Sequence, residues 1–344
     1  MFFLDSKVCK FKMKKVVITG GCGFIGSYLV KNCLSRNYKV LNIDILSYAG
    51  SNKIFTDKNY QFKKVDIRNK RKINDILKKF KPDFIINCAA ETHVDRSIDM
   101  PLKFFDTNLF GTLNLLQSLL KNNLKTKFIQ ISTDEVFGSI KKGKFNENTN
   151  YMPKSPYSAS KASADHLVRS FGNTYKINYV ITNCSNNYGP GQYPEKLIPL
   201  TILNCIRKKN INVYGNGKNI RDWIYVNDHA KAVIDCMSKA KRNKTYLIGA
   251  SQEKTNIDIV KQICDYFQKN ENNKFNYKSL IKFVKDRKGH DFRYAINAKK
   301  IKSEIKWSPT TRFNIGLKKT INYYIKNQKK YLKKLETDNW LKKR

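Results

Sequence analysis

Several features are missing from this sequence. It has no apolar run near the roughly 20 residues that a membrane-spanning helix needs. Its first 14 residues are too short and too charged for a secretory signal, and both Met1 and Met13 are candidate starts. None of the eight cysteines forms a Cys-x-x-Cys pair, and the four histidines lack metal-ligand spacing. We therefore expect no membrane partner, no metal, and a cytoplasmic protein with reduced cysteines.

Acidic residues are also scarce. The chain of 344 residues contains 27 Asp and Glu against 67 Lys and Arg, which gives a formal net charge of +40 at pH 7. A charge of this size is compatible with nucleic-acid binding. The lysines are scattered along the chain, however, so phosphate contacts would not be clustered. We expect no specific nucleic-acid partner, but a basic surface that attracts an anionic nucleotide substrate.

Strand-like apolar runs alternate with helix-like stretches over the first half of the chain. This alternation predicts a parallel sheet with helices on both faces, an α/β Rossmann-like doubly wound fold. After about residue 187, Pro and Gly punctuate shorter elements, which predicts a smaller C-terminal substrate-binding lobe on the carboxyl edge of the sheet. The predicted strands are 15–19, 39–44, 62–65, 84–88, 128–132 and 178–184, and the predicted helices are 24–37, 73–80, 102–121 and 158–175.

Glycines cluster between the first strand and the first helix. The segment 20–26 (GGCGFIG) satisfies both GxGxxG and GxxGxxG. Such glycines permit a tight turn and let the backbone approach a pyrophosphate, which rests on the N-terminus of the helix. Asp44 ends the next strand, where a carboxylate binds ribose hydroxyls, and no Lys or Arg follows it at once. NAD is therefore predicted in preference to NADP. We expect an NAD-binding domain over 14–186, a mainly substrate-binding lobe over 187–324 and a Lys-rich tail over 325–344.

Two adjacent carboxylates follow a strand-like run. The triplet 133–135 (Thr-Asp-Glu) comes directly after the apolar stretch 127–132. Side chains alternate along a strand, so the two carboxylates are expected on different sides of a pocket, as one acid and one base. Tyr157 and Lys161 are four residues apart, which places them on one face of a helix. An ammonium group beside a phenol lowers the phenol pKa, so this pair suits proton exchange with a sugar hydroxyl.

Longer segments share the order and spacing of a known family. They are 91–97 (ETHVDRS), 132–138 (STDEVFG), 155–161 (SPYSASK), 182–190 (TNCSNNYGP), 194–199 (PEKLIP) and 221–223 (RDW). From about residue 14 to 324, the chain resembles the dTDP-glucose 4,6-dehydratase family, in the extended branch of the short-chain dehydrogenases/reductases. Three positions depart from the family pattern. Thr92 stands where Ser is usual, Phe137 where Tyr is usual, and Lys288 where Pro is usual.

The resemblance implies a redox-neutral dehydration. Tyr157 would take the proton of the sugar 4-hydroxyl while NAD takes the hydride from carbon 4. Lys161 would lower the pKa of Tyr157 and bind the nicotinamide ribose, and Thr133 would bond to the 4-oxygen. Glu135 would remove the proton of carbon 5, and protonated Asp134 would donate to the departing 6-hydroxyl. The hydride would then return to carbon 6 and a proton to carbon 5.

The resemblance also implies the binding residues. The implied cofactor-binding residues are Gly20, Gly23, Phe24, Ile25, Gly26, Asp44, Ser47, Asp66, Ile67, Ala89, Ala90, Thr107, Tyr157, Lys161 and Asn187. The implied substrate-binding residues are Thr92, Asn186, Lys196, Arg221, Asn256 and His290, of which Lys196 and Arg221 face the diphosphate. Family members pair through two helices per subunit, so a homodimer through 102–121 and 158–175 is expected.

Other functions stay open at this point. A UDP- or GDP-sugar 4,6-dehydratase would keep the Asp-Glu pair, so the base of the nucleotide is less secure than the reaction. A sugar-nucleotide epimerase or decarboxylase shares the glycines, the tyrosine and the lysine, but has no need of that pair. Outside the enzymes, the alternatives are a non-catalytic NAD-binding protein and a polyanion-binding protein.

Overall fold

The computed structural model of the chain describes residues 13–51, 55–270 and 274–342. Met1 and the last two residues of the predicted tail lie outside these ranges. The strands are β1 (Lys15–Thr19), β2 (Lys39–Asp44), β3 (Tyr60–Lys64), β4 (Phe84–Asn87), β5 (Lys127–Thr133), β6 (Tyr179–Cys184), β7 (Asn186–Tyr188), β8 (Ile211–Tyr214), β9 (Ile220–Tyr225), β10 (Lys244–Ile248), β11 (Glu253–Thr255) and β12 (Ile281–Val284). The helices are α1 (Phe24–Ser35), α2 (Lys70–Phe80), α3 (Val94–Asp99), α4 (Pro101–Phe105), α5 (Gly111–Lys121), α6 (Pro156–Tyr175), α7 (Leu197–Arg207), α8 (Val226–Lys239), α9 (Asn256–Asn270), α10 (Lys299–Ile305), α11 (Phe313–Lys326), α12 (Gln328–Thr337) and α13 (Asn339–Lys342).

Within the described ranges, seven strands form one parallel sheet in the order β10-β6-β5-β4-β1-β2-β3. The strand order reverses between β1 and β4. At such a point the loops that leave the two strands diverge and open a crevice at their carboxyl ends. The predicted α/β Rossmann-like doubly wound fold is therefore confirmed.

Alternate residues of the central strands pack into different cores. In β1, Val16 and Ile18 join a core that includes α1 and α8, whereas Val17 joins a core that includes α2, α5 and α6. Because helices cover both faces, every residue of β5 is buried. Strands of this kind appear in a sequence as nearly continuous apolar runs, which is why they were predictable.

The edge strand β10 changes the predicted division of the chain. It lies in the range predicted for the substrate-binding lobe, yet it pairs with β6 along its whole length. The helix α8 also packs against α1, in the first domain. The boundary at 186/187 therefore does not follow the sheet, because the chain crosses back to it after β9. The sequence of β10, KTYLI, is short and begins with polar residues, so it did not stand out.

The predicted helix over 102–121 is divided into three parts. A π-helical turn, Asp106–Phe110, separates α4 from α5. The turn holds Asn108 in a buried position, where its side chain accepts from the backbone N–H of Glu91 (2.9 Å) and donates to Ser160 Oγ (2.9 Å). This interruption therefore joins the helix to α6 and to the loop after β4.

The C-terminal lobe has its own apolar core. Two small sheets, β11-β9-β7 and β12-β8, surround it together with α7, α9, α11 and α12. The Lys-rich tail is helical over its described length, and Tyr331 and Leu335 of α12 are buried in this core. None of the described helices is long and apolar enough to cross a membrane.

Candidate active site

The turn between β1 and α1 allows the close approach of a charged group. Gly20 has a φ of +71°, in the left-handed region that favours glycine. A Cβ on Gly26 would lie 2.0 Å from the carbonyl oxygen of Gly20, so no side chain fits there. The helix α1 begins after Gly23 without a side-chain cap, so its first N–H groups are available to an anion. This cradle fits a pyrophosphate.

Asp44 lies at the end of β2, beside the glycine turn. Its Oδ2 accepts from Cys22 N (2.9 Å) and its Oδ1 accepts from Leu46 N (2.7 Å). These bonds orient the carboxylate, and each oxygen keeps a lone pair for a ribose hydroxyl. A small residue forms the neighbouring wall, since a Cβ on Gly20 would lie 2.7 Å from Ala89 N. The donors, the carboxylate and the close walls together fit an NAD molecule.

One cavity of about 380 Å³ runs along these groups. Every residue predicted to bind the cofactor lines it: Gly20, Gly23, Phe24, Ile25, Gly26, Asp44, Ser47, Asp66, Ile67, Ala89, Ala90, Thr107, Tyr157, Lys161 and Asn187. The predicted acid-base residues Thr133, Asp134 and Glu135 line the same cavity. The fold therefore brings the dinucleotide cradle and the predicted catalytic set into one space.

The triplet 133–135 does not have the expected extended geometry. The strand β5 ends at Thr133, and Asp134 and Glu135 begin a 3-10 turn. The hydroxyl of Thr133 accepts from Glu135 N (3.2 Å) and caps this turn. Threonine side chains often compete in this way with continued strand pairing. The expected extended backbone at Asp134 and Glu135 is therefore wrong, because strand alternation ends at Thr133, but both carboxyl groups line one cavity.

The two carboxyl groups have different surroundings. Asp134 is 1% exposed, and its Oδ2 has no hydrogen-bond partner in the described part of the chain. Burial, and then the charge of Glu135, raise the pKa of Asp134 well above its usual range. Burial also raises the pKa of the half-buried Glu135, but Arg287 and Arg221 act to lower it. Asp134 is thus suited to keep a proton, and Glu135 is better suited to accept one.

Tyr157 and Lys161 lie one turn apart in α6 and are both buried. Burial, and then the charge of Glu135, raise the pKa of Tyr157 well above its usual range. Burial lowers the pKa of Lys161, whose Nζ donates to the carbonyl oxygen of Ile131 (2.6 Å). The expected lowering of the Tyr157 pKa by Lys161 is therefore not produced by the side chains alone. A cationic cofactor in the cavity acts in the required direction.

Asp165 is a buried carboxyl group that the sequence analysis missed. Its Oδ2 accepts from Ser132 Oγ (2.6 Å) and from the hydroxyl of Tyr151 (2.9 Å). Ser132 is the residue after Ile131, to which Lys161 donates, so two side chains of α6 hold successive residues of β5. The signal in the sequence was the spacing, because Asp165 follows Lys161 by four residues.

A second cavity, of about 1170 Å³, adjoins the first. The predicted substrate residues Arg221, Asn256 and His290 line the second cavity, and Thr92 lines the first. The walls that both cavities share are Glu135, Asn186, Asn187, Gln192, Glu195 and Lys196. The predicted substrate set therefore surrounds a space that leads to Glu135.

Two arginines, Arg221 and Arg287, line the second cavity. The guanidinium group of Arg221 donates to the carbonyl oxygen of Asp291 (2.8 Å) and lies over the ring of Tyr294 (4.2 Å). The neighbouring Asp222 accepts from the backbone N–H groups of Ala250 (3.1 Å) and Gln252 (2.7 Å). Arg287 comes from the loop that also carries Lys288 and was not identified from the sequence. Its signal was the adjacent pair Arg287 and Lys288, since arginine binds phosphate groups bidentately.

Among the described residues, no group of three or more His, Cys, Asp or Glu side chains could hold a metal ion. Six of the seven described cysteines are buried. Burial raises the pKa of Cys33 to about 12, and also raises the pKa of Cys88 to about 12. These thiols are therefore poor nucleophiles, and the reduced state expected for them is consistent with the structure.

Comparison with known proteins agrees with this geometry. A sequence model of the GDP-mannose 4,6 dehydratase family matches residues 17–320. A dTDP-glucose 4,6-dehydratase of Escherichia coli is 44% identical over 341 residues, which cover 91% of this chain and 94% of the relative. A crystal structure of a dTDP-glucose 4,6-dehydratase from Streptomyces venezuelae with NAD bound is 35% identical, with a TM-score of 0.88, and the match covers 93% of this chain and 99% of that one.

A more distant structure shares the fold. The UDP-glucose 4-epimerase of Thermus thermophilus, in complex with NAD, is 26% identical with a TM-score of 0.82, over 90% of this chain and 99% of that one. The fold and the cavity define an extended short-chain dehydrogenase/reductase. Within that class, the chain belongs to the dTDP-glucose 4,6-dehydratase family.

The raised pKa of Asp134 predicts a pH-dependent effect of Asp134→Asn on stability. Between the pKa of the unfolded chain and the higher pKa of the folded protein, the folded state holds a proton that the unfolded state has lost. Stability therefore falls as pH rises through this window. Asparagine does not titrate, so the melting temperature of the variant relative to wild type should be higher at pH 8 than at pH 4.

Thermal unfolding followed by circular dichroism measures this difference. The matched control is Asp75→Asn, which changes an exposed carboxyl group on α2. The control should shift the melting temperature little and equally at both pH values. An equal shift for Asp134→Asn at pH 4 and pH 8 would contradict the assigned direction.

Proposed function

We propose that this chain catalyses the NAD-dependent dehydration of dTDP-glucose to dTDP-4-keto-6-deoxyglucose. The observation that carries the proposal is that two carboxyl groups, Asp134 and Glu135, lie in the cavity that also holds Tyr157 and Lys161. A 4-epimerase oxidises carbon 4 with a comparable tyrosine and lysine but removes no water. An epimerase would therefore not need the carboxyl groups of Asp134 and Glu135.

When bound, NAD accepts a hydride from carbon 4 and later returns it to carbon 6. Tyr157 takes the proton of the 4-hydroxyl, and Thr133 forms a hydrogen bond with the 4-oxygen. The resulting ketone acidifies the proton of carbon 5, which Glu135 removes. Asp134 keeps its proton at neutral pH because it is buried beside Glu135, and it donates this proton to the departing 6-hydroxyl. As the hydride reaches carbon 6, Glu135 returns its proton to carbon 5, and the proton that Tyr157 took from the 4-hydroxyl balances the one that Asp134 lost.

The choice of a thymine nucleotide follows the nearer relatives. The matching family model is named after a GDP-sugar enzyme, whereas the curated relatives at 42–45% identity are dTDP-glucose 4,6-dehydratases. A family model covers many substrates, so the individual relatives are the more specific guide. The cations Lys196 and Arg221 line the second cavity and are suited to a diphosphate, but a diphosphate does not distinguish the bases.

A substrate panel tests this proposal. Purified protein is incubated with dTDP-glucose, UDP-glucose, GDP-mannose and GDP-glucose, and the products are analysed by mass spectrometry. We expect loss of one water from dTDP-glucose at a far higher rate than from the other three. Loss of water from only a UDP- or GDP-sugar would overturn the base assignment, and loss from none would overturn the reaction.

The acid-base roles predict distinct variants. Asp134→Asn and Glu135→Gln should each lower the rate of water loss by about 100- to 10,000-fold, the usual contribution of a general acid or base. Glu135→Gln should also slow exchange of the carbon 5 proton with solvent deuterium, because it removes the base for that step. The NAD content of both variants should match wild type, since neither carboxyl group holds the dinucleotide. Turnover at the wild-type rate would contradict these roles.

We also propose that two copies of the chain pair through α4, α5 and α6. The support is a set of large apolar side chains exposed on the corresponding segments. Leu102 is 70% exposed, Phe110 is 51% exposed and Tyr175 is 53% exposed. Burying such groups in a second copy removes apolar area from water, which favours association.

Charge substitution tests this pairing. In Leu102→Glu combined with Phe110→Glu, each added carboxylate would be desolvated by the partner, so the dimer should dissociate. Sedimentation equilibrium should then give the mass of one chain, against two for wild type. Phe283→Glu is the matched control, because Phe283 is 60% exposed but lies on β12, outside these helices. Dissociation by the control alone would place the interface elsewhere.

A further inference from the structure

The wall between the two cavities is held by the C-terminal end of the chain. The segment 190–196 follows β7 and supplies Gln192, Glu195 and Lys196 to both cavities, and Tyr193 to the first. This segment has no regular secondary structure of its own until α7 begins. Its position therefore depends on side-chain contacts with other parts of the molecule.

Arg96 of α3 is the centre of these contacts. Its side chain is 9% exposed, and its Nε donates to Glu195 Oε2 (3.0 Å). Its Nη2 donates to Asp338 Oδ2 (2.6 Å), between α12 and α13. The guanidinium carbon also lies 4.0 Å from the ring centre of Tyr48 and 4.6 Å from that of Trp340. One buried cation thus joins four segments that are far apart in the sequence.

The two carboxylates bound by Arg96 are themselves fixed by the cavity wall. Glu195 accepts from the hydroxyl of Tyr48 (3.2 Å), in the loop after β2 that lines the cofactor cavity. Asp338 accepts from the hydroxyl of Tyr193 (2.9 Å). Both carboxylates are nearly buried, with side-chain exposures of 2% and 6%. A buried ionic group of this kind is costly to break, because removing one partner leaves the other uncompensated.

The C-terminal segment is anchored on its far side too. The backbone N–H of Trp340 donates to Asp338 Oδ1 (3.0 Å), and the indole Nε1 donates to Asp99 Oδ2 (3.1 Å). The indole ring lies 4.7 Å from the ring of His93 and forms part of the second cavity. Trp340 and Leu341 therefore line the second cavity.

We infer that Arg96 and Asp338 are positioning residues of a C-terminal clasp, made of Tyr48, Arg96, Tyr193, Glu195, Asp338 and Trp340. The clasp holds the wall 190–196 over the cofactor cavity and so retains the dinucleotide between turnovers. It touches neither reacting carbon, and it acts by keeping Glu195, Lys196 and the Tyr48 loop in place. The inference rests on the proposed function only where turnover is measured, because retention of NAD is measured directly.

The test compares NAD retention in Asp338→Asn with wild type. Asparagine keeps the shape of the side chain but removes the charge that Arg96 binds. Loss of a hydrogen bond to a charged group corresponds to about a 10- to 100-fold effect. We expect NAD to dissociate faster by this factor, measured as NAD per protein after timed desalting. The matched control is Asp265→Asn, which breaks an exposed ion pair with Lys278 (2.7 Å) and should leave retention unchanged.

Comparison of kcat with the KM for NAD distinguishes a positioning role from a general loss of structure. With saturating NAD and dTDP-glucose, Asp338→Asn should keep a kcat close to wild type, while its KM for NAD rises. Arg96→Lys should behave similarly. Lysine keeps the charge but lacks the planar guanidinium group that binds two carboxylates and also contacts two rings. Retention equal to wild type in both variants would overturn the clasp. So would a loss of kcat that added NAD does not restore. If NAD is retained as expected but no sugar nucleotide loses water, the proposed function fails and the clasp stands.

Discussion

The contact between α6 and the end of β5 is the constraint on which the rest of the site depends. The helix supplies Tyr157 and Lys161, and the strand leads directly into Asp134 and Glu135. Lys161 donates to Ile131 O, and Asp165 accepts from Ser132, so the helix is bonded to consecutive residues of the strand. A shift of α6 by one turn would break both bonds and move the phenol away from the carboxyl groups. Proton transfer at two different carbons of one sugar requires that these groups keep a fixed relation.

Burial sets the protonation states as well as the positions. It raises the pKa of Asp134 and of Tyr157 and lowers that of Lys161, so each of these groups is pushed toward its neutral form. For the general-acid role proposed for Asp134 this is useful, because a general acid must arrive protonated. For Tyr157 it is opposed to the required reaction, since the phenol has to give up its proton. A cation bound nearby would lower the pKa of Tyr157. The glycine cradle and Asp44 fit a dinucleotide that carries such a charge.

The sequence predicted the fold, and the residues predicted for the site line the two cavities, but not all of their geometry was predicted. The strands of the parallel sheet were recognisable because both faces are buried and their apolar runs are nearly continuous. The cradle was recognisable because only glycine satisfies its backbone and packing. The strand β10 was not predicted, because its segment is short and partly polar. Its pairing with β6 is a long-range contact that cannot be inferred from such a segment. The 3-10 turn after Thr133 was missed for a similar reason. The sequence pattern of β5 does not show at which residue the strand ends. The hydroxyl of Thr133, which caps the following turn, sets this end.

The contacts of Arg96 explain why the last helices belong with the first domain's loops. A parallel sheet puts every ligand group on loops at one edge, and loops are the least rigid part of such a fold. Retention of a dinucleotide between turnovers needs those loops held in place, so a second set of restraints has to come from outside the sheet. Here Arg96, between Glu195 and Asp338, supplies such a restraint from within a buried space, where an ionic contact is least screened by solvent. The net charge of +40 on the chain does not act there. The wall between the two cavities is contacted instead by a single buried arginine that binds two carboxylates.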